Sequence, residues 1–158
     1  MTLPLEKTFE TEDKTIPIVR VVDVTRTYKV GTYEVHALRG VNLTLPQGVF
    51  AVLKGRSGSG KTTLLNIIGG LDRPTSGQVY IYDQPLAELS ERELTRLRRH
   101  RIGFVFQSFA LLPTFSAYEN VELALRISGA NMRECKERTE RCLEIEGWRK
   151  WARHRPYE

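Results

Sequence analysis

Short β-branched runs open the chain, and segments with a helical spacing of apolar residues follow them. Residues 1–15 are polar and aperiodic, so we expect them to form a mobile amino-terminal tail. The next apolar runs, at 16–24, 41–45 and 49–54, are separated by turns that contain glycine or proline. Three such strands in close succession predict an antiparallel start to the fold.

The spacing of apolar residues changes to a helical period after residue 60. Ser90 and Glu93 stand at capping-box spacing, which predicts a helix that begins at Glu91 and buries Leu94 and Leu97. Strands that alternate with helices indicate an α/β layered fold with a parallel component, to which the early strands add an antiparallel flap. The predicted helices cover residues 61–68, 91–100, 117–127 and 132–146, and the predicted strands between them cover 78–83 and 102–106.

Composition places the chain among ordinary globular proteins. It has 158 residues, 41% hydrophobic and 27% charged, which fits one domain or part of a larger one and excludes a fibrous or wholly disordered chain. No run reaches the ~20 apolar residues that a membrane-spanning helix needs. The polar amino terminus also lacks the apolar core of a signal peptide. We therefore expect a cytoplasmic protein.

The formal net charge of +5 raises nucleic acid or an acidic membrane surface as a possible partner. The densest basic cluster, at 96–101, lies on the predicted capped helix and has no interleaved aromatic residues. The three histidines and two cysteines lie too far apart in the sequence to make a metal site together. We interpret the basic cluster as a solvated helix face and expect no nucleic-acid partner.

Residues 55–62 read GRSGSGKT and match the phosphate-loop pattern G-x-x-x-x-G-K-[ST] at every position. An apolar run precedes this loop and a helical segment follows it, so backbone N–H groups at the helix start can surround a chain of phosphates. We expect Lys61 to contact the β- and γ-phosphates, Thr62 to give its hydroxyl to Mg²⁺ and Thr63 to reach the α-phosphate. The alternative is a glycine-rich turn without function, which the flanking segments disfavour. A phosphate loop alone does not distinguish kinases, GTPases, helicases and transport ATPases.

Five stretches of the chain resemble the ATP-binding subunits of ABC transporters. They are Tyr28, ahead of the phosphate loop, and the sequences ALRGVNLTL, SGSGKTTLLNIIGGLDRPTSGQV, IGFVFQSFALLPTFSAYENVELAL and HRPYE. The resemblance extends from about Val19 to Glu158 and is greatest to the branch that serves lipoprotein release and macrolide-type export. It implies ATP and Mg²⁺ as ligands, and an α/β P-loop NTPase core with an antiparallel β flap and the start of a helical subdomain. Residues 16–158 are then expected to form a nucleotide-binding domain.

The resemblance also implies roles for residues outside the loop. The Tyr28 ring is implied to stack on adenine, with Tyr33 as the substitute if the alignment is shifted; the alternative is a half-buried strand tyrosine. Gln107 is implied to touch Mg²⁺ and the attacking water, and a polar loop residue is the alternative. Lys61 and Gln107 are thus the expected catalytic residues, and Thr62 and Gln107 the expected metal ligands. The expected nucleotide-binding residues are Tyr28, Gly55, Ser57, Gly58, Ser59, Gly60, Lys61, Thr62 and Thr63.

Protein partners are implied by the same resemblance. The stretch SFALLPTFSAYENV is implied to form the edge of a groove that receives a helix of a transmembrane permease subunit. Packing within the domain is the alternative for some of its apolar residues. The family further implies a homodimer of nucleotide-binding domains, peripheral at the inner face of the cell membrane. The residues expected to face the permease are Phe109, Leu111, Leu112 and Phe115.

Three later motifs of the family do not occur in the sequence: the signature LSGGQ, a strand that ends in Asp-Glu, and a switch histidine. We therefore expect the amino-terminal part of an ABC ATPase, which ends just before the signature and does not hydrolyse ATP alone. Three functions remain open at this point. They are an ATPase subunit that drives export or lipoprotein release, a truncated nucleotide-binding module without turnover, and a nucleic-acid-directed P-loop ATPase.

Overall fold

The computed structural model describes residues 16–106 and 110–158. The chain divides into two compact units, one that ends at Thr95 and one that runs from Arg96 to Glu158. The predicted tail, and the predicted site residues Gln107 and Phe109, lie outside the described residues.

An antiparallel sheet of four strands forms the framework of the first unit. Its strand β1 (Val19–Val30) pairs with β2 (Tyr33–Leu45) on one side and with β3 (Ser76–Ile81) on the other. β3 also pairs with the short β4 (Gln84–Pro85). The predicted antiparallel pairing is therefore confirmed for the runs at 16–24 and 41–45, and the next strand of the sheet is β3. β2 begins eight residues before the predicted run, because its first four residues are exposed and of mixed polarity and therefore give no clear apolar signal.

Helix α1 (Lys61–Ile68) packs on this sheet and has the predicted bounds. Its buried residues Leu64 and Ile67 are three apart and therefore lie on one helix face. The helix ends at Gly69 and Gly70, whose N–H groups donate to the carbonyls of Leu65 and Ile67. Burial of each large apolar side chain contributes about 1.5–3 kcal/mol, so these contacts fix the helix on the sheet. The buried apolar residues of the first unit are Val19, Val21, Val24, Leu38, Leu64, Ile67, Val79, Ile81, Leu86 and Leu94.

Helix α2 (Glu91–His100) begins at the predicted capping box. The Ser90 N–H donates to the Glu93 carboxylate at 2.9 Å, and the Glu93 N–H donates to Ser90 Oγ at 3.4 Å. Leu94 and Leu97 are buried as predicted, and most of the basic cluster at 96–101 is exposed. This exposure agrees with the interpretation of the cluster as a solvated helix face.

Helices α3 (Ala117–Ser128) and α4 (Met132–Ile145) pack together in the second unit, and a short 3₁₀ turn (Arg149–Trp151) follows them. α4 buries Cys135, Thr139 and Leu143, which are four residues apart and line one face. The predicted bounds of both helices are correct to within one residue. None of the helices in the described ranges combines the length and the hydropathy that crossing a membrane requires.

Two predicted strands, at 49–54 and 102–106, are wrong in this structure, because both segments run in an irregular conformation. Every strand pair among the described residues is antiparallel, so the predicted parallel component is not found there. A buried parallel strand needs neighbours on both sides and cover on both faces. These segments lack such cover: the side chain of Phe50 is 93% exposed and that of Val105 is fully exposed.

Candidate nucleotide-binding site

The phosphate loop leads directly into the first turn of α1. Gly60, the residue before the helix, has a left-handed backbone conformation with φ of 86°. Within the described residues, no side chain caps this helix end, and its first turn contains no acidic residue. Its backbone N–H groups and the positive end of the helix dipole therefore favour an anion at this position.

The sequence around the loop is basic. No Asp or Glu occurs between Glu34 and Asp72. The positively charged residues in this interval are Arg39, Lys54, Arg56 and Lys61. This distribution adds to the attraction of the helix end for a polyanion such as a triphosphate.

Lys61 folds its side chain back onto the loop. Its Nζ donates to the carbonyl oxygens of Gly55 at 2.9 Å and of Arg56 at 2.8 Å, and to Ser59 Oγ at 3.2 Å. These three acceptors match the three hydrogen-bond donors of the ammonium group. The positive charge is thus held against the loop, and phosphate oxygens can take the place of the loop oxygens as acceptors.

Gly60 brings the loop into direct contact with β2. A Cβ atom at this residue would lie 2.4 Å from the carbonyl oxygen of Ala37 and 2.9 Å from Leu38 Cδ2. Both the positive φ and this close approach require glycine. The loop and the start of α1 are therefore fixed on the sheet at this point.

Thr62 and Thr63 follow the lysine in the first turn of α1. The Thr62 side chain is exposed and that of Thr63 is half-buried. Mg²⁺ prefers hard oxygen ligands, and it usually binds through one or two protein groups together with substrate phosphates and waters. The exposed Thr62 hydroxyl at the anion-favouring helix end fits this coordination. In residues 16–106 and 110–158, no group of three or more His, Cys, Asp or Glu residues is placed to hold a metal ion.

Tyr28, the predicted adenine-stacking residue, lies near the end of β1 and has two charged neighbours. Its hydroxyl donates to Asp72 Oδ2 at 2.6 Å. The guanidinium of Arg26 lies over its ring, with Cζ 4.4 Å from the ring centroid. Arg26 also binds Asp72 with two hydrogen bonds, from Nε at 3.0 Å and from Nη2 at 2.7 Å. We call these three residues the tyrosine cluster.

Arg26 and Asp72 are each stabilised in the charged form by the other two residues of the tyrosine cluster. The Tyr28 hydroxyl contributes most to the raised pKa of Arg26, and the negative charge of Asp72 adds to it. Partial burial on its own raises the pKa of Asp72. Hydrogen bonds from the Tyr28 hydroxyl and the Arg73 N–H, together with the Arg26 charge, more than offset this effect, so the pKa of Asp72 lies below its ordinary value.

The loop before α3 is held by Asn120. Its Oδ1 accepts a hydrogen bond from the Leu112 N–H at 2.8 Å. Its Nδ2 lies within hydrogen-bond distance of three carbonyl oxygens, those of Leu112, Phe115 and Ser116, at 3.2, 3.1 and 3.0 Å. A single side chain therefore fixes the backbone of most of this loop.

The same loop carries the residues predicted to face a permease. Leu111 and Leu112 are 50% and 42% exposed, and Phe115 is half-buried. The next residue, Ser116, forms a capping box with Glu119, in which the Ser116 N–H donates to the Glu119 carboxylate at 2.7 Å. This N–H and the Ser116 hydroxyl lower the pKa of Glu119. The loop thus has a fixed backbone with apolar side chains on its surface.

Of the predicted site residues, the structure joins Gly55, Ser59 and Lys61 through the hydrogen bonds of the lysine. It joins Tyr28 to Asp72, beyond the end of α1. Sequence reasoning missed the roles of Arg26, Asp72 and Asn120. Arg26 stands two residues before Tyr28 on a strand, a spacing that places both side chains on one face and could have indicated their contact.

Comparison with known proteins identifies the family. Residues 38–156 match the ABC transporter family. The uncharacterized ABC transporter ATP-binding protein MJ0796 of Methanocaldococcus jannaschii is 45% identical over 143 residues, which are 88% of this chain and 61% of that protein. The lipoprotein-releasing system ATP-binding protein LolD of Saccharophagus degradans is 37% identical over 142 residues, 90% of this chain and 62% of that protein. The macrolide export ATP-binding/permease protein MacB of Hyphomonas neptunium is 43% identical over 142 residues, 90% of this chain and 22% of that protein.

Solved structures give the same result. A dimeric post-hydrolysis state of the ATP-binding cassette MJ0796 bound to ADP and Pi superposes with a TM-score of 0.80 at 44% identity, over 88% of this chain and 62% of that one. The predicted α/β P-loop NTPase fold class is confirmed by this similarity. The chain spans about three fifths of the length of the first relatives that it matches. With the family match over residues 38–156, these similarities establish that the chain belongs to the ABC transporter family.

Proposed function

We propose that this chain is the ATP-binding part of an ABC transporter subunit that couples ATP binding and hydrolysis to export or lipoprotein release by a membrane partner. The observation that carries the proposal is the phosphate loop, in which Lys61 is held against loop oxygens beside an uncapped, anion-favouring helix end. Relatives named for lipoprotein release and for macrolide export support the transport role.

In this proposal the loop binds the triphosphate. The backbone from Gly55 to Gly60, with Ser57, Gly58 and Ser59 between them, surrounds the phosphate chain. Lys61 exchanges its loop acceptors for oxygens of the β- and γ-phosphates, and Thr63 reaches the α-phosphate. The Tyr28 ring stacks on the adenine, for which such contacts contribute ~1–3 kcal/mol per base.

Three residues then support hydrolysis in this proposal. Thr62 and Gln107 hold Mg²⁺, which when bound neutralises charge on the phosphate oxygens. The neutral amide of Gln107 orients the attacking water without a change of protonation. Lys61 stabilises the negative charge of the transferred phosphoryl group.

The partners are a membrane permease and a second nucleotide-binding domain. The exposed side chains of Leu111 and Leu112, with Phe109 and Phe115, form the surface that meets the permease. Residues 16–158 act as a nucleotide-binding domain, peripheral at the cytoplasmic face of the membrane. The dimeric structures of the solved relative support the pairing of two such domains.

Replacement of Lys61 tests the central part of this proposal. Lys61→Ala removes charge-assisted hydrogen bonds to phosphate, so we expect the binding free energy of ATP with Mg²⁺ to weaken by ~1.5–3 kcal/mol. Isothermal titration calorimetry measures this change. Lys54→Ala is the matched control, because it removes one positive charge just before the loop and so reports the loss of general electrostatic attraction alone. Equal ATP affinity of the wild type and Lys61→Ala would show that the loop is not the nucleotide site.

A further inference from the structure

The tyrosine cluster links the strand that carries Tyr28 to the turn that follows α1. Asp72 belongs to this turn, and the N–H groups of Leu71 and Asp72 both donate to the carbonyl of Asn66 inside the helix, at 2.8 and 3.2 Å. Two further hydrogen bonds join the turn to β1: from the Thr75 N–H to the Thr25 carbonyl and from the Thr27 N–H to Thr75 Oγ1, both at 2.9 Å. The Tyr28 ring is therefore fixed relative to the helix whose first residue is Lys61.

A second arginine–tyrosine pair lies on the same sheet, but its tyrosine hydroxyl does not bond to the aspartate that pairs with the arginine. Arg20 lies over the Tyr80 ring at 3.8 Å and forms an ion pair with Asp83 at 3.0 Å. The Tyr80 hydroxyl, however, bonds to Gln78 and not to that aspartate. Asp72, by contrast, accepts hydrogen bonds from both Arg26 and the Tyr28 hydroxyl. Its side chain and that of Arg26 are about one quarter exposed, and those of Arg20 and Asp83 are more exposed.

We propose that Asp72 and Arg26 are positioning residues for base recognition, which hold the Tyr28 ring at a fixed place relative to the phosphate loop. The inference rests on the proposed stacking of Tyr28 on adenine. Arg26 covers one face of the ring, and a base needs only the other face. A ring that is already fixed loses less conformational freedom when a nucleotide binds, so the base contact adds more to the affinity. If the cluster served stability alone, its loss would affect the binding of every ligand equally.

The experiment compares two ligands, ATP and inorganic triphosphate, by calorimetry in the presence of Mg²⁺. The variants are Asp72→Asn, Tyr28→Phe, their combination, and Tyr28→Ala. Asp83→Asn and Tyr80→Phe are the matched controls, since they make the same changes at the second arginine–tyrosine pair. Triphosphate lacks the base, so its affinity reports whether the loop remains intact in each variant.

We expect Asp72→Asn and Tyr28→Phe each to weaken ATP binding about fivefold and to leave triphosphate binding unchanged. The double variant should lose much less than the product of the two single effects, because both remove the same anchor. Tyr28→Ala should lose more ATP affinity than Tyr28→Phe and bind ATP no better than triphosphate. The two controls should bind both ligands as the wild type does.

Other outcomes separate this inference from the proposed function. Tyr28→Ala could remove the preference for ATP over triphosphate while neither Asp72→Asn nor Tyr28→Phe reduces it. Tyr28 would then stack on the base without being positioned by Asp72, and the inference would be wrong. If Asp72→Asn weakens ATP and triphosphate equally, the cluster is structural and the inference is wrong. If the wild type binds ATP no better than triphosphate, the stacking role itself fails. A wild type that binds neither ligand contradicts the proposed function as a whole.

Discussion

Single residues decide the geometry of the phosphate loop. Gly60 combines a left-handed backbone with an approach to Ala37 that leaves no space for a Cβ atom. Lys61, the next residue, places its ammonium against the carbonyls of Gly55 and Arg56. The position of the charge therefore depends on the glycine, because the backbone at residue 60 sets the direction in which α1 begins.

Replacement of Gly60 separates backbone strain from steric collision. Alanine in the left-handed region costs about 1–2 kcal/mol at any position. Gly48 has φ of 79° with nothing within 4 Å of a Cβ position, so Gly48→Ala carries only that cost. We expect Gly60→Ala to reduce the free energy of unfolding by at least about 1 kcal/mol more than Gly48→Ala. Urea denaturation measures this difference.

The two glycine variants should also differ in ligand binding. Gly60→Ala displaces the loop and the start of α1, so its ATP affinity should fall, whereas Gly48→Ala should bind ATP as the wild type does. Equal losses of stability in the two variants would show that the contact with Ala37 relaxes without effect on the loop.

The residues of the phosphate loop could be predicted from the sequence, whereas the contact of Tyr28 with Asp72 could not. The pattern GRSGSGKT is local, since its spacing is set by the backbone of one turn and one helix start. Tyr28 and Asp72 are 44 residues apart in the sequence, and the fold brings them together where β1 pairs with β3, the strand that follows the turn of Asp72. Contacts of this kind depend on topology, which hydrophobic patterning does not define.

At the scale of secondary-structure elements, α3 holds the loop that precedes it. Asn120 lies in the first turn of the helix and bonds to both the N–H and the carbonyl of Leu112, eight residues earlier. The capping box of Ser116 and Glu119 fixes the entry to the same helix. The helix and the loop with Leu111 and Leu112 on its surface therefore behave as one element.

Asn120→Ala tests this interpretation. It removes one acceptor and the donors to three carbonyls, so we expect a loss of about 1–3 kcal/mol in the free energy of unfolding. Asn120→Asp keeps the acceptor for the Leu112 N–H. It replaces the amide donor with a second oxygen, which cannot donate to the three carbonyls. Amide hydrogen exchange at Leu112 should therefore accelerate more in Asn120→Ala than in Asn120→Asp.

Asn131→Ala is the control for the Asn120 variants. Asn131 caps α4 with one hydrogen bond to the Glu134 N–H at 3.0 Å, so its loss should cost about 1 kcal/mol and leave exchange at Leu112 unchanged. Unaltered exchange at Leu112 in Asn120→Ala would show that the loop is held by other contacts.

Helices were easier to predict than strands in this chain, for a physical reason. The caps and the apolar stripe of a helix lie within its own sequence, so the bounds of α1 and α2 are as predicted. A buried strand is stabilised by its neighbours, and the apolar runs at 49–54 and 102–106 form no strand among the described residues. Their composition indicates strands, but a strand also needs a neighbouring strand to pair with, and composition does not show whether one is present.

At the scale of the whole molecule, we expect these two apolar segments to affect how the chain behaves in solution. Phe50 and Val52 are 93% and 61% exposed in the first unit, and Val105 is fully exposed in the second. Contiguous apolar residues on a surface favour association, especially in extended segments that can pair with another chain. We therefore expect the 158-residue chain to self-associate as its concentration rises, and sedimentation velocity measures this directly.

Phe50→Ser identifies the surface responsible for this association. Burial of a phenylalanine side chain contributes about 1.5–3 kcal/mol, so its removal should raise the midpoint of self-association about tenfold or more. Met132→Ser is the matched control, because Met132 is 82% exposed but stands at the start of a regular helix, outside both segments. Both variants should retain the ATP affinity of the wild type, because the loop is unchanged. If Met132→Ser reduces association as much as Phe50→Ser, general surface hydrophobicity and not the strand-like segment at 49–54 causes the association.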